Sequence, residues 1–346
     1  MDLQAYLYTY QGSLVVVLAL FMPTALACEG LTLAIMKVVA RRVWWPTAMP
    51  LQKGLMMNYG YTEDQCTPEN CLESFAFVLV ICGHHFLMGL LTTPVVAMGW
   101  SGAGPTWQLL FMLALLGDVT YSLYDWIKKF CLTFFHAHCK CLGPPCPKPF
   151  FIILCVLHHT LSMVMVVPMN VKYSFLPAYH RIACALLLAA GICFLTGQYK
   201  FTLDVQNKGH YMQFKVIVVV QFVTLWYTRG FVWLSQIYSA LTFFHAQGDT
   251  HFFIAGCVAS ALMTLFNVVM LMDCTTAALK WLPKGFPEDE EEFQDLQADI
   301  LRQCSTTLSL GARRASQKEM HSTLMVAMAA VKFKKPLLRD IREREF

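Results

Sequence analysis

The stretch FFIAGCVASALMTLFNVVMLMDCTTAALKW (252–281) decides the fold class, because Asp273 and Lys280 are its only charged side chains. About 20 apolar residues in a helix, at 1.5 Å per residue, cross the roughly 30 Å hydrocarbon layer of a bilayer. Working back toward the N-terminus, six more runs meet the same test: 13–36, 74–98, 107–127, 150–167, 178–196 and 214–241. The sequence predicts an all-α integral membrane protein with about seven transmembrane helices. Composition points the same way. Of the 346 residues 57% are hydrophobic and 14% are charged, against roughly 25% charged in a soluble domain. A chain of this size could bury a soluble core but lacks the polar surface to cover it. The net charge of +4 is small, and no basic run is interleaved with aromatics, so nucleic acid is not an expected partner.

Loop charge sets the expected direction, since Lys and Arg are retained on the cytosolic side. Lys37, Arg41, Arg42 and Lys53 follow the first span, and the link between the second and third has neither residue type. Lys128, Lys129, Lys140 and Lys148 follow the third, while the next link holds only Lys172 and Arg181. Lys200, Lys208 and Lys215 flank the fifth link, and the sixth has none. This alternation places the N-terminus in the lumen and the C-terminus in the cytosol. Ala25-x-Ala27 before Cys28 resembles a signal-peptidase site, but no Lys or Arg precedes the apolar run and cleavage would break the alternation. The first helix is therefore expected to be retained, which leaves Cys66 and Cys71 as free thiols. The 14 cysteines follow no paired framework spacing and read mostly as small hydrophobes.

Ionisable residues inside a span are costly and face a bundle interior or a wet cavity. Span two carries His84 and His85. Span three carries Asp118, with Tyr121 and Asp125 at i+3 and i+7 on one face. Span four carries His158 and His159, span six Arg229 with Gln236 at i+7, and span seven Asn267. Three uses stay open for this set. It can be a structural network in which Arg229 pairs with Asp118, a two-His, one-Asp metal site, or a functional intramembrane site. Spacing alone does not support the metal, and none is expected.

Three segments resemble the TLC superfamily of ceramide synthases, translocation-associated membrane proteins and their relatives. GDVTYSLYDWI (117–127) is similar to the family's Tyr/Asp segment ending a span, and VLHHTLSMV (156–164) to its adjacent His pair. VQFVTLWYTRGFVW (220–233) is similar to its late aromatic helix with a central Arg. The resemblance covers roughly residues 74–281 and implies a six-helix membrane domain around a central cavity. It divides the chain into an N-terminal helix and cytosolic amphipathic loop (1–73), the TLC-like domain (74–282) and a charged cytosolic tail (283–346). It further implies lipid metabolism in an endomembrane, the endoplasmic reticulum foremost. The implied reaction is acyl transfer from acyl-CoA as co-substrate to a lipid amine. His158 or His159 would be nucleophile or base, oriented by Asp118 or Asp125, and no bound cofactor is implied. His84, His85, Tyr121, Arg229, Gln236 and Asn267 would contact substrate, and Arg229 could meet a phosphate or carboxylate. The sequence departs from ceramide synthases after His159, where TLSMVMVVPMNVKYSFLPAYHRI (160–182) lacks the family's His-Asp ending. GQYKFTLD (197–204) likewise stands in place of its Glu-Ser-Thr stretch.

A non-catalytic lipid-binding, lipid-sensing or membrane-protein chaperone of the same fold is the alternative. A seven-helix receptor is a second, although span three lacks an Asp/Glu-Arg-Tyr end and span seven lacks Asn-Pro-x-x-Tyr. Expected partners are membrane lipids, proteins docking on the tail, and a second copy of the chain as a homodimer. FHAHCKCLGPPCP (135–147) reads as a turn with acylation-prone cysteines, since its spacing matches no common zinc site. In the tail, Arg313-Arg314-Ala-Ser316 has the form of a basophilic kinase site, with Ser316 the regulatory residue. Residues 321–338 form an amphipathic stretch suited to an anionic leaflet.

Overall fold

The computed structural model describes residues 7–286; the tail from residue 287 on, with Ser316 and residues 321–338, lies outside them. Among the described residues the regular structure is entirely helical, and seven helices are long and apolar enough to cross a membrane. These are α1 (Tyr10–Val43), α3 (Pro68–Met98), α4 (Trp100–Phe134), α5 (Lys148–Lys172), α6 (Pro177–Phe201), α7 (Lys208–Ala246) and α8 (Thr250–Trp281). The shorter α2 (Trp45–Asn58) follows α1. Each long helix contains its expected apolar run and extends past it by up to several residues.

Local sequence sets the boundaries. Thr67 caps α3 by accepting from the Asn70 amide, and Pro68 occupies the first turn, where its missing N–H costs nothing. Gly99, at φ 73°, stops α3, and a second positive-φ glycine, Gly104 at φ 71°, kinks the first turn of α4 before Pro105, so the chain reverses over residues 99–104. Asn207 caps α7, and Asp249 caps α8 after the positive-φ Gly248. The segment after α1 behaves as an amphipathic helix. Trp45, Ala48, Gln52 and Met56 of α2 form one buried face, packed on Leu72, Phe75 and Ala76 of α3. Cys66 and Cys71 are separate free thiols, as expected.

Three helices leave regular geometry: α1 at Val16–Phe21 and Met36–Ala40, and α5 and α7 where the sequence places buried ionisable residues. Residues 152–159 of α5 and 226–232 of α7 form widened, π-helical turns. In α5 the Thr160 amide reaches back five residues to the Cys155 carbonyl, and Thr160 Oγ1 donates to the same oxygen at 3.0 Å. In α7 the Trp233 amide reaches back to Thr228. Such turns recur at functional sites because they displace side chains from the regular register.

In the tertiary packing α3, α4, α5, α8, α7 and α6 each touch the next, closing a ring, with the α5–α8 seam the sparsest. The closest approach is α3 against α6. A Cβ on Gly191 would lie 2.5 Å from the Phe86 Cα, and one on Gly89 would lie 2.8 Å from Leu188 Cδ2. Only glycine permits that spacing. α1 lies outside the ring, against α3 and α4. It is held by Glu29, which accepts from Tyr124 Oη at 2.5 Å and from Lys128 Nζ at 2.6 Å.

Candidate functional site

The ring encloses a cavity of about 170 Å³. One end is polar and carries His85 from α3, Asp118 and Ser122 from α4, His158 and Ser162 from α5, and Arg229 from α7. The walls beyond are apolar, drawn from α4 to α8, with Met165, Met169, Leu187, Ile237, Phe244 and Met263 among them. Past Phe244 the helix ends are covered by aromatic packing. Tyr173 lies 5.1 Å from Phe244 and 4.9 Å from Phe252, ring centre to ring centre. The Tyr173 hydroxyl donates to Asp249 at 2.5 Å, and Lys172 Nζ pairs with the same carboxylate. These two donors hold the Asp249 carboxyl down at about 2.

The adjacent histidines of α5 part company. His158 lines the cavity and stacks on Phe266 of α8 at 4.7 Å between ring centres. His159 turns the other way and shares a 3.0 Å hydrogen bond between its Nε2 and Asp125 Oδ2, where both residues are buried. That second pair is sealed from the cavity. Lys129 stands close enough to act on Asp125 electrostatically, and beside them lie Tyr61 and Cys146. Burial pushes the Tyr61 hydroxyl up to about 12 and raises the Cys146 thiol, so both stay protonated there.

Inside the cavity the carboxylate belongs to the earlier histidine. His85 Nδ1 lies 2.7 Å from Asp118 Oδ1, off the direction a hydrogen bond prefers. Nε2 is then the atom on the far side of the His85 ring. His84, its neighbour, sits outside the cavity, tilted against Tyr121 with ring centres 4.0 Å apart, in a recess that Gly117 leaves open. A Cβ at Gly117 would come within 3.2 Å of that imidazole. Tyr121 therefore supports His84 and does not line the cavity.

Arg229 is 4% exposed and donates through Nη1 to Asn267 Oδ1 at 2.7 Å. It makes no ion pair with Asp118 within 4.0 Å among the described residues, contrary to the structural-network reading. Gln236 also falls elsewhere. It bonds Ser235 and accepts from Arg181, outside the cavity. The cause is the π-helical turn, which shifts the register so that Trp233 and Ile237, at i+4 and i+8 from Arg229, face inward. No group of three His, Cys, Asp or Glu side chains placed to hold a metal occurs among the described residues. The histidines and aspartates instead form two separate pairs.

Sequence reasoning passed over Ser122, Ser162 and Trp233, each four residues beyond Asp118, His158 and Arg229 and so one turn further on the same face. It also passed over Glu29, whose signal was a lone carboxylate within the first apolar run. Tyr179 had no such signal, because packing alone brings it to the cavity, where it bonds Asn170 at 3.0 Å. Comparison with protein-family models, curated proteins and solved structures finds no match to this chain, so the site's chemistry rests on its own residues.

Proposed function

We propose that the cavity is the lipid site of a TLC-like membrane protein, and that its polar end transfers an acyl chain from acyl-CoA to a lipid amine. The observation that carries this reading is the His85–Asp118 pair at the polar end of an otherwise apolar cavity, with His158 and Arg229 beside it. An acyl chain lies along α5 to α8 without a desolvation cost, and its carbonyl stops among the polar groups. His85 Nε2 takes the proton of the amine as the nitrogen attacks the thioester carbonyl. Asp118 stabilises the imidazolium, while Arg229 and His158 face the developing oxyanion. The C–N bond forms, the C–S bond breaks, and His85 returns its proton to the departing thiolate. The six-helix ring supports the TLC-like reading. The alternation of loop charge supports an endomembrane orientation with the N-terminus lumenal and the C-terminus cytosolic.

The expected outcome in cells expressing the protein is a lipid product that disappears in His85→Ala and Asp118→Asn. It persists in a variant with His159 and Asp125 replaced together by Phe and Leu. Comparison of lipidomes checks this; a product that depends on His159 but not on His85 would overturn the assignment. A second reading, lipid binding without chemistry, is favoured by one contact. Phe266 covers the ring of His158, which has no carboxylate partner within 4.0 Å among the described residues. On that reading the lipid pools stay constant and only the lipid that copurifies with the protein changes.

A further inference from the structure

We infer that Arg229 makes the cavity selective for single-chain lipids with an anionic head, a carboxylate or a phosphate. The inference rests on the lipid-site reading above and adds the class of ligand. Its first support is a charge without a counter-ion, eased by the Phe266 ring 5.6 Å from the guanidinium carbon. Arg229 is buried on α7, and among the described residues its hydrogen bond goes to the neutral amide of Asn267. Nε is buried without a partner, and no carboxylate lies within 4.0 Å of the guanidinium among the described residues. Asp118, which also lines the cavity, is engaged by His85. A guanidinium is permanently cationic, and a buried charge without a counter-ion is among the costliest arrangements in a membrane protein. An anion delivered by the ligand removes that cost.

The second support is the shape of the space Arg229 faces. From His158 to Met169 the lined part of α5 spans roughly 16 Å at 1.5 Å per residue. Along this length Ala183, Ala190, Gly256 and Ala259 keep the walls thin and apolar. The passage suits one chain, with the head meeting Arg229 at the polar end. The polar end thus has two poles. An amine is drawn to Asp118 and repelled by Arg229, whereas an anionic oxygen is drawn to Arg229. An acyl carbonyl gains that oxygen during transfer, and a fatty acid carries it from the start. The guanidinium fork can engage either a carboxylate or a phosphate by two parallel hydrogen bonds.

The test uses the full chain in phosphatidylcholine nanodiscs and three photo-crosslinking probes with the same diazirine-bearing chain. These are a fatty acid, a lysophosphatidic acid and the corresponding alcohol, with labelled residues mapped by mass spectrometry. The acid is expected to label Met165, Met169 or Leu187, with at least a tenfold weaker apparent affinity in Arg229→Gln and recovery in Arg229→Lys. The alcohol is expected to label wild type and both variants alike, which also shows that they are folded. The lysophosphatidic acid arm separates the sources: stronger labelling by it than by the fatty acid makes the head a phosphate, and the reverse makes it a carboxylate. Equal labelling by acid and alcohol, unchanged in Arg229→Gln, would overturn the anion selectivity and leave the lipid site standing. Loss of the alcohol together with both anions in Arg229→Gln would make Arg229 structural and overturn it as well. No labelling of the cavity by any probe would overturn both the selectivity and the lipid site.

Discussion

Two His–carboxylate pairs lie in one bundle, both reaching α4, and they differ in what surrounds them. His85 and Asp118 open onto a cavity with apolar walls, whereas His159 and Asp125 are enclosed by Tyr61, Lys129 and Cys146. The two pairs join the same residue types, through Nδ1 in His85 and Nε2 in His159, but their access differs. A base that must meet substrate needs an open side, so under the proposed function the open pair is the reactive one and the enclosed pair a strut. Adjacent residues in sequence, His158 and His159, belong one to each region.

The sharpest way to break this contrast is Asp125→Ala. Removing one partner of a buried pair leaves the other unpaired and costs about 3–5 kcal/mol. Asp125→Ala should lower the unfolding temperature markedly, measured by thermal-shift size-exclusion chromatography. The double replacement Asp125→Leu with His159→Phe should recover most of the loss, since apolar residues of similar volume fill such sites well. If Asp125→Ala leaves stability unchanged and only activity falls, the enclosed pair is not a strut.

A smaller effect is expected one residue away. Glu29 joins α1 to Tyr124 and Lys128 on the enclosed side of α4. Glu29→Gln weakens two charge-assisted bonds and should destabilise by about 1–3 kcal/mol. Cross-linking of lipid probes in the cavity should not change. A change there would mean that the two regions are coupled through α4.

The smallest effect concerns the far end of the cavity and acid. The Asp249 carboxyl is held at about 2 in the folded protein, against 3.8 ordinarily, by Lys172 and Tyr173. A depressed carboxylate stabilises the fold above its unfolded value, and that contribution is lost as pH falls through the folded one. The stability difference between wild type and Asp249→Asn should therefore be constant from pH 7 to about pH 5 and shrink between about pH 4 and pH 2. Thermal unfolding across that range checks it; a difference that vanishes near neutral pH would exclude Asp249 as the cause.

Much of this architecture is legible in the amino-acid order. Seven apolar runs, the capping residues Thr67, Asn207 and Asp249, and the turn made by Gly99 and Gly104 follow from hydrocarbon thickness, unsatisfied end amides and glycine's access to positive φ. So does the placing of Asp118 and Asp125 on one face of α4, two turns apart. The partners of those aspartates are a different matter. Helical spacing says which side chains share a face, but a polar pair between helices depends on rotation, depth and separation. The glycine contacts Gly191–Phe86 and Gly89–Leu188 fix the approach of α6 to α3. The π-helical turns in α5 and α7 then offset everything beyond them, which puts Ile237 rather than Gln236 on the cavity wall. Sequence alone determined that His, Asp and Arg would be buried in a helical membrane bundle. Tertiary structure alone decided that His85, not His159, meets a carboxylate in the open, because neighbouring helices set which imidazole has room beside it.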